Sequence, residues 1–107
     1  MNMTLGAFRK LLNRYAKNLN LYVYGDKFLG MPHNYSGNPK ELAFTPSTTM
    51  SSVEDAIIMV DMIINRQLLN EPVKVNTPLW ISEIDNPNGQ AIVDVIPQFN
   101  HIHIITK

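Results

Sequence analysis

The side chains best able to do chemistry lie near the end of the chain. His101 and His103 stand two apart in HIHIIT, a run that alternates as a strand does. Residues two apart on a strand share a face, and two imidazoles so placed can grip one zinc ion. A catalytic zinc needs a third protein ligand, which Asp94, Glu83 or His33 would have to supply. The alternation has a simpler source, because Ile102 and Ile104 fill the other face and leave the histidines to water. Glu83 and Asp85 also share a strand face, as paired carboxylates do in acid–base enzymes. Such work needs a perturbed pKa in a cleft. Nothing in the sequence puts them in one, and a solvated sheet face accounts for them. His33 and Tyr35 are either ligand contacts or exposed loop residues without a role.

Nucleophilic signatures are missing. The chain has no cysteine, no G-x-S-x-G, no S-x-x-K and no H-E-x-x-H. The phosphate-cradling G-x-x-x-x-G-K and G-x-G-x-x-G are absent too. A non-enzyme with no cofactor is therefore expected, and His101 and His103 stay weak metal candidates.

Positive charge is a second kind of chemistry. Nine basic and nine acidic residues give zero net charge. They are divided along the chain: residues 1–40 hold six of the bases against Asp26 alone. Lys10, Arg14 and Lys17 follow a helical spacing and share one face of a first helix. A basic face suits phosphates. It also suits plain solvation, or attraction to the acidic second half of the same fold.

The element that must organise all this is Ser51 to Asn70. Ser51 stands three residues before Glu54, which predicts a capping box. Glu71-Pro72 marks the end, because proline disfavours helical geometry in the residue before it. Val53, Ile57, Val60, Ile64 and Leu68 form one apolar stripe, widened by Ala56 and Ile63. Ile58, Met62 and Leu69, with Met59 nearby, form a second stripe on the opposite side. A surface helix does not need two. The back stripe is covered within the domain, covered by a partner or a second copy, or incidentally exposed.

The other elements follow in order. Thr4 caps a first helix over about 5–17. Leu21 to Tyr24 and Lys27 to Met31 read as a hairpin about Gly25-Asp26. Pro32 to Met50 is rich in proline, serine and threonine and reads as a long loop, with a short strand or anchor at Leu42 to Phe44. Leu79 to Asp85, Gln90 to Ile96 and His101 to Thr106 read as a three-stranded meander, with a turn at Asn86 to Gly89. No internal repeat is visible.

These readings add up to one α+β domain over residues 1–107, in the order α-β-β-loop-α-β-β-β. A small antiparallel sheet, hairpin plus meander, is expected to pack on the central helix with the first helix beside it. The absence of cysteine points to the cytoplasm, and no run approaches the ~20 apolar residues needed to span a membrane. Plentiful Asn and Ile suit an AT-rich bacterial or phage genome. The leading functional expectation is a protein-interaction module, an accessory or inhibitory protein that binds a partner or itself through Ile58, Met59, Met62 and Leu69. The alternatives are nucleic-acid binding by Lys10, Arg14 and Lys17, and a metal-dependent hydrolase built on His101 and His103.

Overall fold

A computed structural model describes residues 2–24, 26–34, 41–69, 73–83 and 86–107. Along these the chain forms α1 (Leu5–Leu12), β1 (Asn20–Tyr24), β2 (Lys27–Asn34) and β3 (Leu42–Ser47). Then come α2 (Val53–Ile64), β4 (Leu79–Glu83), β5 (Asn86–Pro97) and β6 (His101–Thr106). The class is α+β, as the sequence predicts. The sheet, however, has six strands and closes into a barrel in the order β1-β2-β3-β4-β5-β6.

The sixth strand comes out of the stretch that reads as a loop. Leu42, Ala43 and Phe44 are all buried, and β3 runs on through Pro46. Proline is tolerated here for local reasons. Pro32 lies at a register shift between Leu29 and Pro32, where a bulge relieves the ladder. A second bulge, between Ile81 and Glu83, lets Ser82 turn inward against the expected alternation. The turn expected at Asn86 to Gly89 is displaced as well. β5 already begins at Asn86, opposite Glu83, so the reversal lies outside the described residues.

Four neighbouring pairs are antiparallel. β3–β4 and β6–β1 are parallel, with Leu42 opposite Leu79 and Ile102 opposite Leu21. Parallel neighbours cannot be joined by a tight hairpin. The β3–β4 connection is the one that carries α2.

The order α1-β1-β2-β3, then α2-β4-β5-β6, is one unit used twice. The two units match bond for bond. Leu79 N donates to Met3 O (3.0 Å), as Leu21 N donates to Ser51 O (2.8 Å). Leu5 N donates to Thr77 O (2.9 Å), as Val53 N donates to Leu19 O (2.8 Å). The segment before each helix therefore pairs with the segment leading into the first strand of the other unit. The same match runs through the strands: Leu21 corresponds to Leu79, Phe28 to Ala91, Leu29 to Ile92, Pro32 to Val95, Leu42 to Ile102 and Phe44 to Ile104. All of these are buried.

Inward-pointing residues of all six strands meet Leu5, Phe8 and Leu12 of α1 and Val53, Ala56, Val60 and Ile63 of α2 in one core. Phe8 and Phe44 stack at a tilt, with centroids 5.9 Å apart. Each such ring contributes about 1.5–3 kcal/mol by leaving water. The ion pair between the helices, Arg9 Nε to Asp61 Oδ1 at 2.8 Å, is 40% and 44% exposed and contributes about 1 kcal/mol at most. Apolar contact, not charge, seats the helices.

Gly30 sits beside the β2 bulge. A Cβ there would run into the carbonyl oxygen of Thr45 on β3 and crowd Ser47 Cβ at 3.0 Å. The obstacle is backbone, so the strands must move apart. Gly30→Ala is expected to cost about 1–3 kcal/mol, read as a lower midpoint in chemical denaturation with an unchanged slope.

Candidate functional site

The start of α2 is fixed by side chains one residue later than the sequence suggests. Ser52, not Ser51, is the cap. Its hydroxyl accepts from Asp55 N (3.2 Å), and the Asp55 carboxylate accepts from Ser52 N (3.1 Å). This is a capping box with Asp in the place expected of Glu54. Ser51 is held instead in the pairing with Leu21, which removes it from the helix.

The end of α2 comes well before Asn70. Asn65 is the C-cap and Arg66 turns left-handed, with φ of 62°. Arg66 N donates to Ile63 O (3.0 Å) and Gln67 N to Met62 O (2.8 Å). Those two bonds are the Schellman pair that closes a helix, with Arg where Gly is usual. The inner stripe is as expected at Val53, Ala56, Val60 and Ile63, with Ile57 and Ile64 at its edges.

The back stripe is split. Ile58, Met59 and Met62 line a groove, whereas Leu69 is partly buried against the core. Leu69 was placed by helical phase, and the helix stops before reaching it. The expectation that it shares a face with Ile58 is corrected on that ground.

The groove holds about 530 Å³. One wall is α2 with Asp55, Ile58, Met59 and Met62; the other is Leu29, Gly30 and Met31 at the β2 bulge. The segment from Ser47 to Ser51 forms the rim, and Leu68 completes the lining. Four of the chain's six methionines are here: Met31, Met50, Met59 and Met62. Met31 is 63% exposed, Met50 67% and Ile58 52%. The front of α2 is seated on the core; of the back stripe Ile58 is exposed, Met62 is half-buried, and Met59 and Leu69 pack against the core.

The unit repeat gives these positions a control. Counting from the matched helix starts, Ile58 corresponds to Lys10 and Met59 to Leu11; α1 ends at Leu12, so Met62 has no counterpart on it. Lys10 and Arg14 are exposed, and among the described residues neither forms an ion pair. One exposed place on the shared scaffold thus carries charge in one unit and a large apolar group in the other, and the fold does not require Ile58 to be apolar.

The other candidates are scattered. α1 ends at Leu12, five residues earlier than expected, so Arg14 and Lys17 lie beyond it and do not share a helix face with Lys10; Lys17 donates to Asn13 Oδ1 (3.4 Å). Arg9 is the α1 cation that is engaged, with Asp61 holding its guanidinium firmly protonated. His101 and His103 share the outer face of β6. His101 leans edge-on against Tyr22 (4.7 Å) and contacts Asn100 Oδ1 (3.0 Å). Among the described residues no group of three His, Asp or Glu is placed to hold a metal ion. Glu83 accepts from the Tyr24 hydroxyl (3.4 Å). Burial first, then the Glu83 carboxylate, pushes the Tyr24 phenol above its ordinary 10.0. Asp85 and Tyr35 lie outside the described residues. No helix among the described residues is long and apolar enough to cross a membrane.

No known protein family matches the chain, and neither a curated protein nor a solved structure gives a match. The site therefore stands on its own geometry. Sequence reasoning missed Leu29, Gly30, Met31 and Met50, which the bulge and the β3–α2 connection bring against α2. Only the share of methionine among them was a signal, and it had no periodicity to carry it.

His33 tests the wall beside the groove. Its Nδ1 lies 3.2 Å from Thr45 Oγ1 across the β2–β3 pair, and burial lowers its pKa below the ordinary 6.5. The neutral ring is then the form the fold prefers, and the unfolded chain binds the proton more readily. Stability is fully present above about pH 6.5 and falls as pH drops through the folded pKa. Melting temperature is expected to decline from pH 7 to 5.5, and His33→Gln is expected to flatten that decline.

Proposed function

We propose that this chain is a non-enzymatic protein-interaction module, an accessory or inhibitory protein that docks through the outer groove of α2. One comparison within the molecule carries the reading: Ile58 is apolar and exposed where its counterpart on α1 is Lys10. A position that tolerates lysine in water is kept apolar when something else covers it. The lining fits that use. Methionine is unbranched and polarizable and adapts to irregular surfaces, as docking grooves require. Anchors would be Ile58 and Met62, near the middle of the patch, ringed by Ser47, Thr49, Ser51 and Asp55.

The test copies Lys10 onto its counterpart. Ile58→Lys, at a position 52% exposed, is expected to change folding stability by no more than about 0.5 kcal/mol, and Met62→Arg, at a half-buried position, is added to it in the double variant. Wild type and the double variant are then used as bait against lysate of the source cells. A partner held by wild type and lost by the double variant is the expected result. Equal retention by both ends the reading, and so does collapse of the thermal transition in the variant, because that face would then be core.

A second reading places nucleic acid on the basic face. It is favoured by the exposure of Lys10 on α1 and of Arg14 just beyond its end. Phosphate contacts would make affinity fall steeply with salt, and Lys10→Glu with Arg14→Glu would reduce the slope of that fall. Failure of wild type to bind any duplex or single strand at low salt removes this reading.

A further inference from the structure

The groove has a knob to match it on the same chain. Phe99, in the turn between β5 and β6, is 102% exposed, the most exposed large apolar side chain among the described residues. The same hairpin also exposes Ile96. Gln98 N donates to His101 O (2.8 Å), which pins the turn and holds Phe99 out. An aromatic ring on a closed turn loses little freedom when it docks, and burying one removes about 150–250 Å² from water.

The strand that follows the knob and the rim of the groove meet at Asn20. His101, the first residue after the turn, sits opposite Asn20 in the β6–β1 pair. The Asn20 side-chain amide in turn reaches Met50 Sδ at 3.7 Å, on the groove rim. Asn20 thus links the hairpin to the groove across the outer surface. A knob and a groove on one chain can satisfy each other in a two-fold pair, each copy giving its knob and receiving its partner's.

Charge does not oppose the pairing. Nine bases against nine acids leave the chain neutral, so two copies meet without net repulsion.

We infer that the occupant of the α2 groove is the β5–β6 hairpin of a second copy of this chain, with Phe99 inserted between Ile58, Met62 and Met31 in a reciprocal homodimer. This rests on the groove being a docking surface and names what docks there. A contact built on one ring and one isoleucine per side is small, below the ~1,000 Å² of a stable interface, so the pair exchanges and depends on concentration.

Solution mass by light scattering over rising concentration is the experiment, with circular dichroism on each variant as the fold control. Wild type is expected to approach twice the chain mass. Phe99→Ser, a fully exposed change, and Ile58→Lys with Met62→Arg are each expected to stay at one chain mass. Mixed in equal amounts, the knobless and grooveless variants are expected to associate, because one intact knob then meets one intact groove. The mixture should need more protein than wild type, having one contact in place of two. If the double variant unfolds, Ile58→Lys alone replaces it. A wild type that stays at one chain mass to its solubility limit overturns the inference, and the bait comparison still decides whether the groove docks a different protein. A dimer that survives Phe99→Ser but not the groove variant overturns the knob and keeps the groove. A dimer that survives both overturns the assignment entirely, as does a mixture in which the two variants ignore each other.

Discussion

The structure depends on an exchange between its two halves. Met3 to Leu5 pairs with Thr77 to Leu79, and Ser51 to Val53 pairs with Leu19 to Leu21. Each helix thus begins as a short extended segment laid against the other half. Two things follow. The lead-in to β1 and to β4 has its backbone bonds satisfied before the barrel ladder takes over, which buried N–H and C=O groups demand. Each helix also starts at a fixed place: Leu5 and Val53 give their N–H groups to the exchange and are the first helical residues, whose N–H groups have no partner inside the helix. That is why Ser52 caps α2 although Ser51 has the same side chain, and why Thr4 caps α1, accepting from Ala7 N at 3.3 Å.

Fixing the helix starts fixes the faces. Once Leu5 and Val53 are equivalent, every later position on α1 has a counterpart on α2, and side-chain chemistry can be compared with geometry held constant. The inner positions agree: Leu5 with Val53, Phe8 with Ala56, Leu12 with Val60, all buried. Sizes differ, and the core takes up the difference, with the Phe8 ring tilted against Phe44. The exposed outer position disagrees in kind, Lys10 against Ile58. Inside, packing sets the residue; outside, solvent would accept any polar choice. An apolar choice on the outside therefore reports something other than folding.

Much of this was legible in the sequence and some was not, for physical reasons. The cap at Thr4, the alternation of HIHIIT and the inner stripe of α2 are local signals, and they hold. Barrel closure is not local. The parallel β6–β1 pair joins Ile102 to Leu21, and no alternation pattern names its partner strand. The repeat is hidden because only burial is kept, as in Phe28 and Ala91 or Pro32 and Val95, while identity is lost. The spacing also drifts from element to element, from Leu5 and Val53 to Leu29 and Ile92, so no fixed period exists to find. Leu69 shows the opposite failure. Helical phase was extended through Arg66, whose left-handed backbone ends the helix although nothing in its side chain announces it. The groove was half legible. Its α2 wall follows from periodicity, but its β2 wall exists only because a bulge at Gly30 lets two strands approach closely.

Closure of the sheet also limits how this chain can hold another. A sheet with a free edge can take up an extended peptide as an added strand, with backbone bonds supplying the affinity. In a barrel whose six strands pair all the way round, that route is shut along the described strands. What remains is side-chain contact on the outer surface, where affinity must come from apolar area and fit. The outer surface offers this in one groove of methionine and isoleucine and in one turn that holds a phenylalanine out. The same closure that makes the barrel safe from adding strands therefore concentrates its means of binding in outer side chains such as Ile58 and Phe99.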